Sequence, residues 1–285
     1  MTTGLVLQVV VTGLAAGAAY GLIAAGFVLV FRLTGVLQLA HGDLLGAALF
    51  IGLAAGAPAA IPLAAAASAA LYLVLLRPSF RRRAELGWIG TTVAAVFFID
   101  ATLLAAYPRP GYVLPDLVHI DAVLNLPDGA TLPARAFYVL AVGLITAAAA
   151  DLVLNRTRFG LGLRAIAADP VAAALSGLRT NRLIAAAFAL AGALAAIAGV
   201  VVVPATTLAP QTGLVLGLKG IAAALLGGLR SPRTAFAGGL AIGVVEAAVA
   251  TAHFPGPAWR DVAPLLLVLA VLAWRPPALA RQAVE

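Results

Sequence analysis

Side chains able to do chemistry are sparse in this sequence. Cysteine is absent and histidine occurs only three times, so disulfides, thiolate nucleophiles and thiolate metal sites are excluded. The one lysine, Lys219, is followed by Gly220 and Ile221, and no G-x-x-x-x-G-K-[ST] loop occurs. The chain therefore carries no phosphate-binding loop of that type. Serine stands at Ser68, Ser79, Ser176 and Ser231, never inside G-x-S-x-G. His119 and His253 lack the H-E-x-x-H spacing of a zinc hydrolase. No catalytic residue and no metal ligand is expected. What remains is a handful of polar residues inside apolar runs: Asp100, Glu246, and the group Gln38, His41 and Asp43.

The elements that position these residues are themselves apolar. Of 285 residues, 63% are hydrophobic and 10% charged, against about 25% charged in a soluble domain. With a mean hydropathy of +1.08, the solvent for most of the chain is lipid. This excludes a soluble enzyme, a nucleic-acid-binding domain and a disordered chain. The net charge of +7 then reads as basic loops beside a membrane, not as a nucleic-acid surface. Residues 1–31 hold no basic residue, so the first apolar run is expected to be a retained span, not a secretory signal.

A span needs about 17–25 apolar residues. Candidate runs lie at 5–31, 37–53, 61–76, 88–107, 136–154, 183–203, 216–229, 235–250 and 262–274. The expectation is an all-α, polytopic helix bundle, a single domain over 1–285 with about eight to nine membrane segments. Threaded in order, fourteen of the 18 basic residues fall on one side. Arg109, Arg135, Lys219 and Arg260 are left on the other. The positive-inside rule makes the rich side cytoplasmic, with the N-terminus outside and the C-terminus inside. An outer loop then covers about 108–135 and an inner one about 155–182.

Ionisable residues inside a membrane mark pathways or are neutralised by partners. Asp100 and Glu246 lie twelve and eleven residues into their runs, roughly 17 Å deep, with no evident basic partner. Two readings stand: pathway lining, or protonated carboxyls bonded to neighbouring backbone. Gln38, His41 and Asp43 read as a gating or interface cluster, or as a helix start with Asp43 at the positive end of the dipole. Tyr20 reads as a packing residue. Gly13, Gly17 and Gly21 recur every fourth position, which fits close helix packing in lipid. Gly42/Gly46 and Gly239/Gly243 repeat the spacing. In the inner loop, residues 165–178 are expected to form a surface helix, with Asp169 as N-cap and Pro170 at its first position.

The strings GLAAGAAYGLIAAG (13–26), GVLQLAHGD (35–43), GLGLRAIAADP (160–170), GALAAIAG (192–199) and LKGIAAALLGG (218–228) together resemble the branched-chain amino acid ABC transporter permeases. They occur in order over most of the chain. The resemblance implies an inner-membrane, multi-pass permease of a bacterial ATP-driven importer for leucine, isoleucine and valine. Related permeases carry urea, amides or other amino acids. It implies two partner ATPase subunits holding ATP and magnesium, a second permease of the same or homologous kind, and an external substrate-binding protein. No cofactor is implied in this chain.

ABC importer permeases share E-A-A, three residues, then Gly. Here Val171, Ala172 and Ala173 precede Gly177, with Val171 in place of Glu and no downstream I-x-L-P. Gln38 and Leu39 replace a usual Asn-Phe. On this resemblance Arg164, Asp169, Ala172, Ala173 and Gly177 form the ATPase-coupling loop, and Gln38, His41, Asp43, Asp100 and Glu246 are candidates for the pathway or its gate. The rival reading is an ion-coupled secondary transporter using Asp100 and Glu246.

Overall fold

The computed structural model describes residues 3–81 and 87–251, apart from 110, 117, 119, 121, 126–129 and 204–206, and a few positions beyond 251. Eleven helices are distinguished within these residues. The first, α1 (Thr3–Thr34), has 32 residues, about 48 Å at about 1.5 Å per residue, longer than the lipid core of about 30 Å. It is the axis of the bundle, buried almost without interruption from Gly17 to Val30. Helix α9 (Thr180–Val202) packs beside it and is the next most enclosed span.

Around this pair lie α3 (Ala60–Ala70), α5 (Gly87–Ala106), α6 (Ala134–Arg156) and α11 (Pro232–Thr251). The α3 span continues through a π-helical turn, Leu71–Leu76, into α4 (Arg77–Arg81). These outer spans present Phe97, Phe98, Leu104, Ile145 and Leu152 outward. Lipid solvates such faces, so they need no protein cover. Six helices are long and apolar enough to cross a membrane. Two more, α2 (His41–Ala55) and α10 (Thr212–Leu226), have only 15 residues each, about 22 Å. These eight match eight of the nine expected runs. The ninth, 262–274, lies largely outside the described residues.

Small residues set two close helix contacts. A Cβ placed on Gly13, Gly17 or Gly21 would stand 2.7 Å from Val244, Leu240 or Phe236 of α11. Gly239 and Gly243 face the same stripe from the other side. The short helices meet the same way: a Cβ on Gly42 would lie 2.7 Å from the Gly217 Cα. Backbones therefore touch where side chains would separate them, and dispersion replaces the hydrophobic force that lipid removes. The expected packing role of Gly13, Gly17 and Gly21 is thus assigned to one partner, α11.

The outer loop departs from the all-α expectation with a small antiparallel hairpin, β1 (Val123–Asn125) and β2 (Thr131–Pro133), Leu124 opposite Leu132. The loop is pinned to the bundle. Tyr112 and Leu208 exchange backbone hydrogen bonds of 2.8 and 2.9 Å. Tyr107 and Tyr112 cluster on Phe50 with ring centroids 4.5 and 5.6 Å away.

Candidate functional site

A cavity of about 580 Å³ opens between α1, α6, α9, α10 and α11. It is lined by Thr12, Arg135, Thr207 and Thr212 together with Tyr20, Lys219 and Glu246. Thr12 and Tyr20 stand eight residues apart on α1, about 12 Å. Its walls are aliphatic: Val139, Val202, Val203, Val215 and Leu216.

At the floor the Lys219 ammonium donates to Glu246 Oε1 at 2.9 Å and to the Tyr20 hydroxyl at 3.3 Å. It also sits 5.1 Å from the Tyr20 ring centroid. The two charged side chains are 11% and 13% exposed. This corrects two expectations: Glu246 does have a basic partner, and Tyr20 is part of a polar site. Lys219 lies on α10, within the expected run at 216–229. The signal in sequence was a lysine flanked by apolar residues and one acid in the following run. A hairpin of α10 and α11 brings them together.

Arg135 forms a two-pronged ion pair with Asp116, at 2.5 and 2.7 Å. Among the described residues, Arg135 Nε and Glu246 Oε2 are left without a hydrogen-bond partner.

The other pathway candidates lie elsewhere. Gln38, His41 and Asp43 are each 1% exposed, and none of their side-chain polar atoms has a hydrogen-bond partner among the described residues. They are not at a solvated helix start, because α2 begins inside the bundle. The His41 ring stands edge-on to Phe27, centroids 4.6 Å apart. Asp100 is half-buried on α5. Glu246 has its partner in Lys219, while Asp43 lies on α2 and Asp100 on α5, two helices in contact.

The inner loop begins at the opposite end of α6 from Arg135. It forms two short helices, α7 (Arg158–Ala168) and α8 (Pro170–Leu175). The single helix expected over 165–178 is therefore corrected. The first helix starts earlier, where the Thr157 hydroxyl accepts from Gly160 N, and it is broken at Asp169. The break has a local cause. Pro170 lacks a donor and disfavours helical backbone at the residue before it. The Asp169 carboxylate then caps the new helix, accepting from Val171 N and Ala172 N at 2.8 and 2.9 Å. The expected cap and Pro position hold.

Gly177 ends α8 with φ of +83°, a left-handed geometry that favours glycine. Arg164 turns inward, donating to Leu154 O and Asn155 Oδ1 at 3.2 and 3.1 Å, and so locks α7 to α6. Ala173 is buried, whereas Val171 and Leu175, one turn apart, are 67% and 85% exposed. Beside this elbow a cleft of about 210 Å³ is lined by Arg32, Asp151, Arg164 and Arg233, and Arg233 pairs with Asp151 across α11 and α6. No group of three or more His, Cys, Asp or Glu side chains among the described residues converges to hold a metal.

A family model described as branched-chain amino acid transport system / permease component matches residues 9–272. The high-affinity branched-chain amino acid transport system permease protein LivH of Escherichia coli (strain K12) is 28% identical over 291 aligned positions, covering 95% of this chain and 94% of that protein. BraD of Pseudomonas aeruginosa, a permease protein of the same description, is 28% identical over the same shares. The protein named probable branched-chain amino acid transport permease LivH in Methanocaldococcus jannaschii is 34% identical over 98 residues, 34% of this chain and 31% of its own. With the match running through the glycine-packed core, the cavity and the helical elbow alike, this chain belongs to the branched-chain amino acid transport system permease family.

Proposed function

We propose that this chain is the membrane-spanning permease subunit of an ATP-driven importer that moves leucine, isoleucine and valine into the cell across the inner membrane. The observation that carries the reading is the pairing of a polar-floored, aliphatic-walled cavity with a capped helical elbow at the far ends of one span, α6, in a chain of this family. The orientation follows the basic residues, with the N-terminus outside and the C-terminus in the cytoplasm. α10 and α11 carry the chain back and forth as the seventh and eighth of nine segments. The cavity then faces outward, where a substrate-binding protein docks.

The elbow faces two ATPase subunits, which supply ATP and magnesium. Arg164 and Asp169 hold its shape, Ala173 roots it on the bundle, and Val171 and Leu175 meet the ATPase. With Val171 in place of Glu, that contact is apolar, not ionic. Ala172 lies exposed beside them, and Gly177 sets the exit of the loop. A second permease completes the pathway. Gln38, His41 and Asp43 act as the gate: buried polar groups without partners cost about 1–3 kcal/mol each, and a pathway that opens beside them gives them water or substrate to bind. The pairing of Glu246 with Lys219 argues against Glu246 as a free ion carrier.

The test is reconstitution of the purified complex with its ATPases and binding protein. Leucine uptake that requires ATP and is stopped by vanadate, with no effect of a protonophore, supports the reading. Uptake abolished by the protonophore while ATP remains would return it to ion coupling, as would loss of uptake in an Asp100→Asn variant together with ATP independence.

A further inference from the structure

Lys219 and Glu246 form an ion pair at the floor of the cavity. A charge deep in a bilayer costs about 2.5–3.5 kcal/mol by insertion scales, and a pair of aliphatic side chains would fill the same space without that cost. Buried pairs are replaceable by apolar residues without loss of stability in many proteins, so packing alone does not explain this one. Its surroundings do. The cavity offers one acid, two bases and a phenol, with Thr12, Thr207, Gln211 and Thr212 beside a wall of Val139, Val202, Val203, Val215 and Leu216. Glu246 Oε2 and Arg135 Nε, an acceptor and a donor, both lack hydrogen-bond partners among the described residues.

We infer that this cavity is a transit site for one free α-amino acid, and that the Lys219–Glu246 pair is its closed state. The substrate is a zwitterion. Its carboxylate replaces Glu246 at the Lys219 ammonium, and its α-ammonium replaces Lys219 at Glu246. One ion pair becomes two, and the cavity's net charge does not change. A single charged residue would compensate only one end of the substrate and leave the other bare. Val139, Val202, Val215 and Leu216 face the aliphatic side chain. Arg135 lines the same cavity, held by its pair with Asp116. Tyr20 keeps the Lys219 ammonium hydrogen-bonded while the exchange occurs. The inference deepens the proposed function and rests on it: the pathway runs through a recognition point inside this chain and does not rely on the binding protein alone for selectivity.

Two measurements test it, both on the assembled complex. In the first, wild-type complex without binding protein is unfolded thermally with millimolar leucine, 3-methylbutylamine or 4-methylpentanoate. Leucine is expected to raise the midpoint, as any ligand of the native state does. The analogues, lacking one end each, are expected to raise it far less. Equal effects of the three, or no effect of leucine, overturn the zwitterion site.

In the second, the double variant Lys219→Met/Glu246→Gln is reconstituted with ATPases and binding protein. A merely structural pair tolerates joint removal, so near wild-type uptake overturns the inference. The expected result is assembly and ATP hydrolysis like wild type, with leucine uptake lowered at least tenfold. Failure of ATP-driven uptake in the wild type would instead count against the importer reading, so the two failures are distinguishable.

Discussion

Lys219 Nζ and Glu246 Oε1 stand 2.9 Å apart, joining two helices that the chain folds into a hairpin. Removing one partner strands the other in a nearly dry site. Lys219→Met is therefore expected to destabilise the protein by about 3 kcal/mol, and joint removal of both charges to restore most of that stability. Thermal unfolding of the two variants in the same detergent measures the difference. A single variant as stable as wild type would show that the pair contributes nothing to the fold.

The contact of α1 with α11 gives a second expectation. At Gly17 the atoms that a Cβ would meet belong to the backbone of Gly239 and Leu240, which cannot rotate away. Gly17→Val is expected to cost about 1–3 kcal/mol through overpacking. Gly90, with nothing near its Cβ position, serves as the control. Urea or thermal unfolding of Gly17→Val and Gly90→Ala should separate them clearly.

The Asp169 cap is separable from charge. Asp169→Ala removes the acceptor for the Val171 and Ala172 amides and is expected to cost about 1 kcal/mol, while Asp169→Asn retains most of the cap. Hydrogen exchange should report faster exchange at those two amides in the Ala variant alone. Uptake should follow the same order, since the elbow transmits motion only when α8 is formed.

Gly177 has φ of +83° and open space where a Cβ would stand. Gly177→Ala is thus expected to cost about 1–2 kcal/mol from backbone conformation alone. Its effect should fall on the α8 exit and on coupling, with cavity ligand binding unchanged. ATPase activity that no longer responds to loaded binding protein, in a complex that still assembles, is the expected signature.

Val171 and Leu175 are exposed apolar side chains on α8. Leu175→Asp leaves the isolated permease folded, because the side chain touches little of it, and is expected to weaken ATPase association at least tenfold. Native mass spectrometry of the gently solubilised complex reads both the association and the number of permeases. Retention of both ATPases in that variant would place the docking contact elsewhere.

Much of this protein is legible in one dimension. Spans are dictated by the length of apolar runs against the thickness of lipid, a property that needs no knowledge of neighbours. The Asp169-Pro170 start is local too, since a cap and a missing amide act within three residues. Gly13, Gly17 and Gly21 announce a close contact by their spacing, although not with whom. The length of the inner-loop helix was misread because Ala-rich sequence favours helix on both sides of the break, while Thr157 and Asp169, each capping a new start, divide it.

Which polar groups share a site was decided by tertiary structure. Lys219 and Glu246 meet only because α10 and α11 pack against each other beside Tyr20. Arg135 is brought to the same cavity from a loop that sequence placed outside. Rotation of each helix about its axis decides these meetings. In lipid that rotation is set by small-residue contacts such as Gly17 against Leu240, not by a hydrophobic face that the sequence displays, because every face of these helices is apolar.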